Sequence, residues 1–138
     1  MTQAEIDVME AGRNMDALIA ETVFGKKPCK FSMTGIISTL TIWKCEHQSA
    51  ENCYPQDKGT CLESYSKEMA CAWKIAEIMK DRKNVSDSFG FSWPVELSFL
   101  DDRGVWACIF HGTRASAEGI GETAPLAICR AALKASLV

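Results

Sequence analysis

Apolar and polar positions recur along this chain in two periods, and each change of period marks an element. Thr2-Gln3-Ala4-Glu5 has the capping-box pattern, in which a threonine oxygen takes one free N–H and a glutamate reaches back for another. Val8, Met15, Leu18, Ile19 and Val23 then keep helical spacing, Glu10, Arg13 and Glu21 stay polar, and Gly25 is a left-handed stop. A helix is expected to run from Thr2 to Gly25, with Gly12 tolerated best as a contact point for another element. Ile36 to Trp43 is β-branched and partly alternating, with Ile36, Leu40 and Ile42 against Thr39, Thr41 and Trp43, which predicts a strand. From Lys44 to Glu63 the pattern gives way to Cys, Asn, Pro, Asp and Gly, an irregular loop whose length calls for a function or an internal staple.

Ser64 or Ser66 is placed to cap a central helix running to about Arg82. Its stripe, Met69, Trp73 and Ala76 beside Ala72, Ile75 and Met79, is wide enough to demand burial, and the other elements are expected to pack around it. Val95 to Phe99 and Val105 to Phe110, joined through Leu100-Asp101-Asp102-Arg103-Gly104, read as a hairpin whose first strand is half-exposed. The Gly/Ser/Glu-rich segment His111 to Glu122 reads as a loop. Thr123-Ala124-Pro125 starts a last helix with a stripe of Leu126, Cys129, Leu133 and Leu137 and a polar edge of Arg130 and Lys134. The predicted order is α-β-α-β-β-α. The fold class is α+β, a layered sandwich in which the Ile36 strand and the hairpin form a small antiparallel sheet covered by three helices.

Composition narrows the class of protein. At 138 residues the chain has the length of a single domain, 1–138, able to bury a core without disulfides. A hydrophobic share of 47% with 24% charged residues is ordinary globular composition. A net charge of -3 argues against broad nucleic-acid or anionic-membrane binding, which needs a basic face. With no long apolar run and no secretion signal at the start, a cytoplasmic protein is expected. Its odd number of cysteines, seven, then reads as reduced thiols or metal ligands before a disulfide framework.

Within the irregular loop, Cys45, His47, Cys53 and Cys61 form a thiol and imidazole set that a tetrahedral zinc ion could staple, with Cys29 nearby in sequence. The spacing matches no paired C-x-x-C knuckle, and free cysteines in a polar loop are the alternative. For ligand binding the candidates are Tyr65 at a helix start, Trp93 and Trp106 as stacking surfaces, and His111 and Arg114 as anion holders at a strand end. Each has a plainer reading: Tyr65 closing the core, tryptophans packing within it as Trp73 is expected to, and His111-Gly112-Thr113-Arg114 as a solvated strand end. Arg13, Asp16 and Arg130 suit ion pairing between helices, and Cys71, Cys108 and Cys129 fall on apolar patterns as small core residues. No catalytic motif is present. Gly119-Ile120-Gly121 lacks the next glycine of a dinucleotide loop, and with seven cysteines and two histidines a Cys/His pairing is expected by chance.

Three blocks together resemble the phage ABA sandwich domain: Ala11 to Ala20, Tyr65 to Trp73, and Thr123 to Leu133. They occur in the family's order and span nearly the whole chain, with Lys67 and Cys71 standing where the family pattern has acidic or small residues. The resemblance implies a layered helix and sheet fold and a phage origin, and no assigned activity. The expected function is a non-enzymatic phage accessory protein, a counter-defence factor that sequesters a small anionic, nucleotide-like host signal in the cytoplasm of the infected cell. A zinc-stapled structural or protein-interaction module is the alternative. Exposed sheet edges and apolar helix faces further predict a homo-oligomer.

Overall fold

The computed structural model describes residues 1–29, 31–37, 40–45, 53–55, 63–81, 94–112 and 115–137. The elements are, in chain order, α1 (Gln3–Val8), α2 (Arg13–Thr22), β1 (Lys27–Cys29), β2 (Phe31–Ile37), β3 (Leu40–Cys45), β4 (Cys53–Pro55), α3 (Met69–Asp81), β5 (Val95–Leu100), β6 (Val105–His111), β7 (Ser116–Gly121) and α4 (Ala124–Ala135).

The capping box forms as its sequence implies: Thr2 N–H donates to Glu5 Oε2 at 2.5 Å and Glu5 N–H to Thr2 Oγ1 at 3.3 Å. The single helix expected from Thr2 to Gly25 is instead two, because the backbone at Met9 turns extended and Gly12 opens a second helix. No element packs against the Gly12 Cα, since a Cβ there would meet nothing within 4 Å, and the contact made at this position is through the backbone, its N–H donating to Ser66 Oγ at 2.9 Å. Gly25 takes the left-handed conformation, φ 65°, and Lys26 N–H reaches back to the Ala20 carbonyl at 2.9 Å.

The stretch expected to be one strand, Ile36 to Trp43, is divided between two strands that pair with each other. β2 and β3 are antiparallel, with Ile37 opposite Leu40, and the connecting Ser38-Thr39 carries none of the Gly or Asn that announce a tight hairpin. β1 and β4 form a short parallel ladder, so the expected irregular loop from Lys44 to Glu63 contains regular backbone at both Cys45 and Cys53.

The main sheet is antiparallel in the order β5-β6-β7. The β5–β6 hairpin has the expected partners, Val95 opposite Phe110 through Leu100 opposite Val105, and Gly104 closes its turn at φ 65°. Its third strand is not the Ile36 strand but Ser116–Gly121, which the sequence presents as loop. Glycine weakens a strand on propensity grounds, yet here it is required by packing. A Cβ on Gly121 would lie 2.9 Å from the Ala127 backbone nitrogen, and one on Gly119 would overlap the Ala127 carbonyl oxygen and the Ala131 amide nitrogen. The glycines let α4 lie directly on the strand.

α4 is the element that organises the core. Thr123 caps it through a 3.4 Å bond from Leu126 N–H, with proline in the first turn as its sequence implies. Its burial extends round the helix, taking in Pro125 through Cys129, Ala131 to Leu133 and Ala135, while Leu137 from the expected stripe is exposed. A helix buried over most of its surface, with a partly exposed flank at Arg130 and Lys134, belongs inside. β6 and β7 pack on it, as do α1, α2 and α3, which places it between the sheet and the other helices.

α3, expected to be central, contributes one face. Ala72, Ile75, Ala76 and Met79 are buried, but Trp73 is 46% exposed and Met69 40%. Trp73 lies about 100° round the helix from Ala72, beyond the edge of the contact face. The expectation of a buried Trp73 is therefore overturned.

Candidate functional site

Where α1 meets the outer edge of β7 and the exposed side of α4, a cleft of about 510 Å³ opens. Gln3 and Asp7 line it from α1, Ser116, Ala117, Glu118 and Ile120 from β7, and Arg130 and Lys134 from α4. The spacing of four along α4 sets both cations on one flank. Arg130 donates from Nη1 to the Ile120 carbonyl at 2.6 Å and from Nη2 to the Met9 carbonyl at 2.8 Å, binding the end of α1 to the sheet edge. Its Nε is buried with no hydrogen-bond partner among the described residues. Lys134 Nζ meets Asp7 Oδ1 at 2.6 Å; the lysine side chain is 13% exposed and the aspartate 49%, so the pair lies at the mouth of the cleft with its acidic partner in water. Size and lining suit a small polar molecule with both acceptor and donor groups.

Ser116, at one end of the cleft, leads to the other strands. Its Oγ is 3.5 Å from His111 Nδ1, and His111 Nε2 is 3.1 Å from Glu96 Oε2. The three side chains share a sheet face, with Glu96 60% and His111 43% exposed. The connectivity resembles that of a nucleophile, base and acid, but the serine contact is at the limit of a hydrogen bond and the group stands in solvent. It reads as a cross-strand polar ladder.

The residues singled out from sequence are dispersed. Tyr65 is fully buried, stacked on Phe24 with ring centroids 4.9 Å apart, and takes the plainer role of closing the core. Burial and the Glu63 carboxylate raise its phenol pKa above the ordinary range. Trp106 is half-buried against the core and 5.3 Å from the Phe99 ring, so it does not line the cleft. His111 reaches the cleft through Ser116. Trp93 and Arg114 lie outside the described residues, as do His47 and Cys61 of the zinc set, while Cys45 and Cys53 stand in different ladders, opposite Phe31 and Lys27. Among the described residues no group of three or more His, Cys, Asp and Glu is placed to hold a metal.

Arg130 and Asp16 act through backbone groups. The buried Asp16 carboxylate accepts the Ser66 N–H at 2.7 Å, tying the turn before α3 to α2. Cys108 and Cys129 are buried as expected. Burial pushes the Cys108 thiol up to about 12 and raises that of Cys129 too, while Cys71 is half-exposed and also raised, chiefly by desolvation. Sequence reasoning noted the Arg130/Lys134 edge but missed Gln3, Asp7, Ser116 and Glu118, which only long-range packing brings to it.

No helix among the described residues is long and apolar enough to cross a membrane. A comparison with curated proteins finds no match. Among solved structures, a phage protein from Bacillus cereus ATCC 14579 shares the fold with a TM-score of 0.57 at 20% identity, over 95% of this chain and 91% of its own. The family model for the phage ABA sandwich domain matches residues 17–133, from the middle of α2 to near the end of α4. The chain therefore belongs to the phage ABA sandwich domain family.

Proposed function

We propose that this phage protein is a non-enzymatic accessory factor that captures a small anionic, nucleotide-like molecule in the cleft between α1, β7 and α4. The observation that carries the reading is the flank of Arg130 and Lys134 in a cleft of about 510 Å³, within the size range of small-molecule sites. A phosphate suits this flank, because guanidinium and ammonium groups donate to its oxygens. Asp7 and Glu118, which line the same cleft, accept from hydroxyl or amino groups of the kind a ribose or base carries. Entry of an anion beside Lys134 competes with the Asp7 carboxylate for the same ammonium, so binding and the position of α1 are coupled. Sequestration of a host signal, a counter-defence role, is the biological form of this reading and fits a phage family.

Calorimetric titration with cyclic mono- and dinucleotides tests it. Binding heat is expected for at least one of them, and Lys134→Gln, on a cleft wall rather than in the deep core, should abolish it while leaving the circular dichroism spectrum unchanged. Folded protein that gives no heat across the set contradicts the reading.

A further inference from the structure

The main sheet ends in two edges, β5 and β7, and they differ in what they offer another strand. In an antiparallel pair alternate residues turn their N–H and C=O toward the neighbour. The bond from His111 N–H to the Pro94 carbonyl at 2.9 Å fixes the parity: Glu96, Ser98 and Leu100 face β6, leaving the backbone groups of Val95, Leu97 and Phe99 on the outer edge. By the same alternation, β7 turns Ser116, Glu118 and Ile120 outward.

The β7 edge is guarded. Arg130 occupies the Ile120 carbonyl, and the exposed Glu118 sits at the centre of the outward set, so a two-fold pairing there would place carboxylate against carboxylate. Among the described residues β5 has neither guard. A two-fold axis at Leu97 would set Leu97 opposite its own copy and Val95 opposite Phe99, with every outward N–H and C=O exchanged. Phe99, a large apolar side chain 47% exposed at this edge, would gain a neighbour, and Glu96 would stand opposite Ser98 rather than a like charge.

We propose that the β5 edge is the docking surface for a second copy of this chain, joining the two sheets antiparallel about Leu97 into one continuous sheet. The occupant is self rather than a foreign strand because the outward residues are complementary to themselves under a two-fold axis, which closes the assembly at two copies. This surface lies on the opposite edge of the sheet from the cleft, so the inference stands independently of the ligand.

Light scattering on the full chain should give twice its mass of 15.2 kDa. Phe99→Lys, which sets an ammonium opposite Val95 of the copy, should return 15.2 kDa, and Glu118→Lys at the guarded edge should leave the dimer intact. Residue-resolved amide exchange on the wild type supplies the reading that does not depend on a variant folding. The Val95, Leu97 and Phe99 amides should exchange slowly in the dimer and fast on dilution, and the Ser116 and Glu118 amides fast throughout. A monomeric wild type at its highest soluble concentration overturns the proposal, as does a dimer whose Val95, Leu97 and Phe99 amides exchange as fast as those of the diluted chain.

Discussion

Gly119 and Gly121 carry no side chain because the backbone of α4 occupies the space one would need. Gly119→Ala forces either the strand or the helix to move, since the atoms it meets are main chain and have no rotamer to change. A loss near the upper end of the ~1 to 3 kcal/mol range for overpacking is expected, read from the urea midpoint. Cys108 shows burial acting on chemistry. Its thiol titrates at about 12 against an ordinary 9.0, so as pH rises the unfolded chain loses this proton first and unfolding is favoured. Stability is full below the ordinary thiol range and falls as pH climbs toward about 12, with a limiting slope of about 1.4 kcal/mol per pH unit, and Cys129 acts in the same direction. Denaturation midpoints at about pH 8 and about pH 10 should show the decline, shallower in Cys108→Ala.

At the scale of elements, Arg130 joins what the chain keeps far apart. One guanidinium serves the carbonyls of Met9 and Ile120, tethering a helix too short to hold itself to the edge of a sheet. A lysine at this position offers a point charge that cannot span both acceptors. Arg130→Lys should cost about 1 to 3 kcal/mol and speed amide exchange in α1 while α4 stays protected, by residue-resolved exchange. The elements that were legible in the sequence were those written in local chemistry: the Thr2 box, the Gly25 stop, the Thr123-Pro125 start and the β5–β6 hairpin. β7 was not legible, because Ser-Ala-Glu-Gly-Ile-Gly has loop composition and its reason for being a strand is the helix that arrives afterwards. The break at Gly12 was hidden for a similar cause. Helical period continues across it, while its bond to Ser66 is a long-range fact. The cleft was half legible: the two cations share a helix face, but the acidic wall comes from α1 and β7.

For the whole molecule, the centre has moved from the middle helix to the last. Phe110, fully buried, sits on the sheet strand that packs on α4, whereas Trp73 sits at the rim of α3. Phe110→Ala should therefore cost about 3 to 5 kcal/mol and Trp73→Ala about 1 kcal/mol or less, an inversion of what side-chain size alone suggests. Sequence period places residues on a helix face but does not rank helices by depth, and α4, with alanines at Ala127, Ala131, Ala132 and Ala135, looks unremarkable until its neighbours are known. Among the described residues every element packed on α4 precedes it in the chain, and this has a consequence for biosynthesis. As the polypeptide leaves the ribosome, the strands and earlier helices emerge with their apolar sides unmatched, and they can close only when residues 124–135 follow. Nascent chains stalled before that point should be open to protease and to chaperones, and those released beyond it should be resistant.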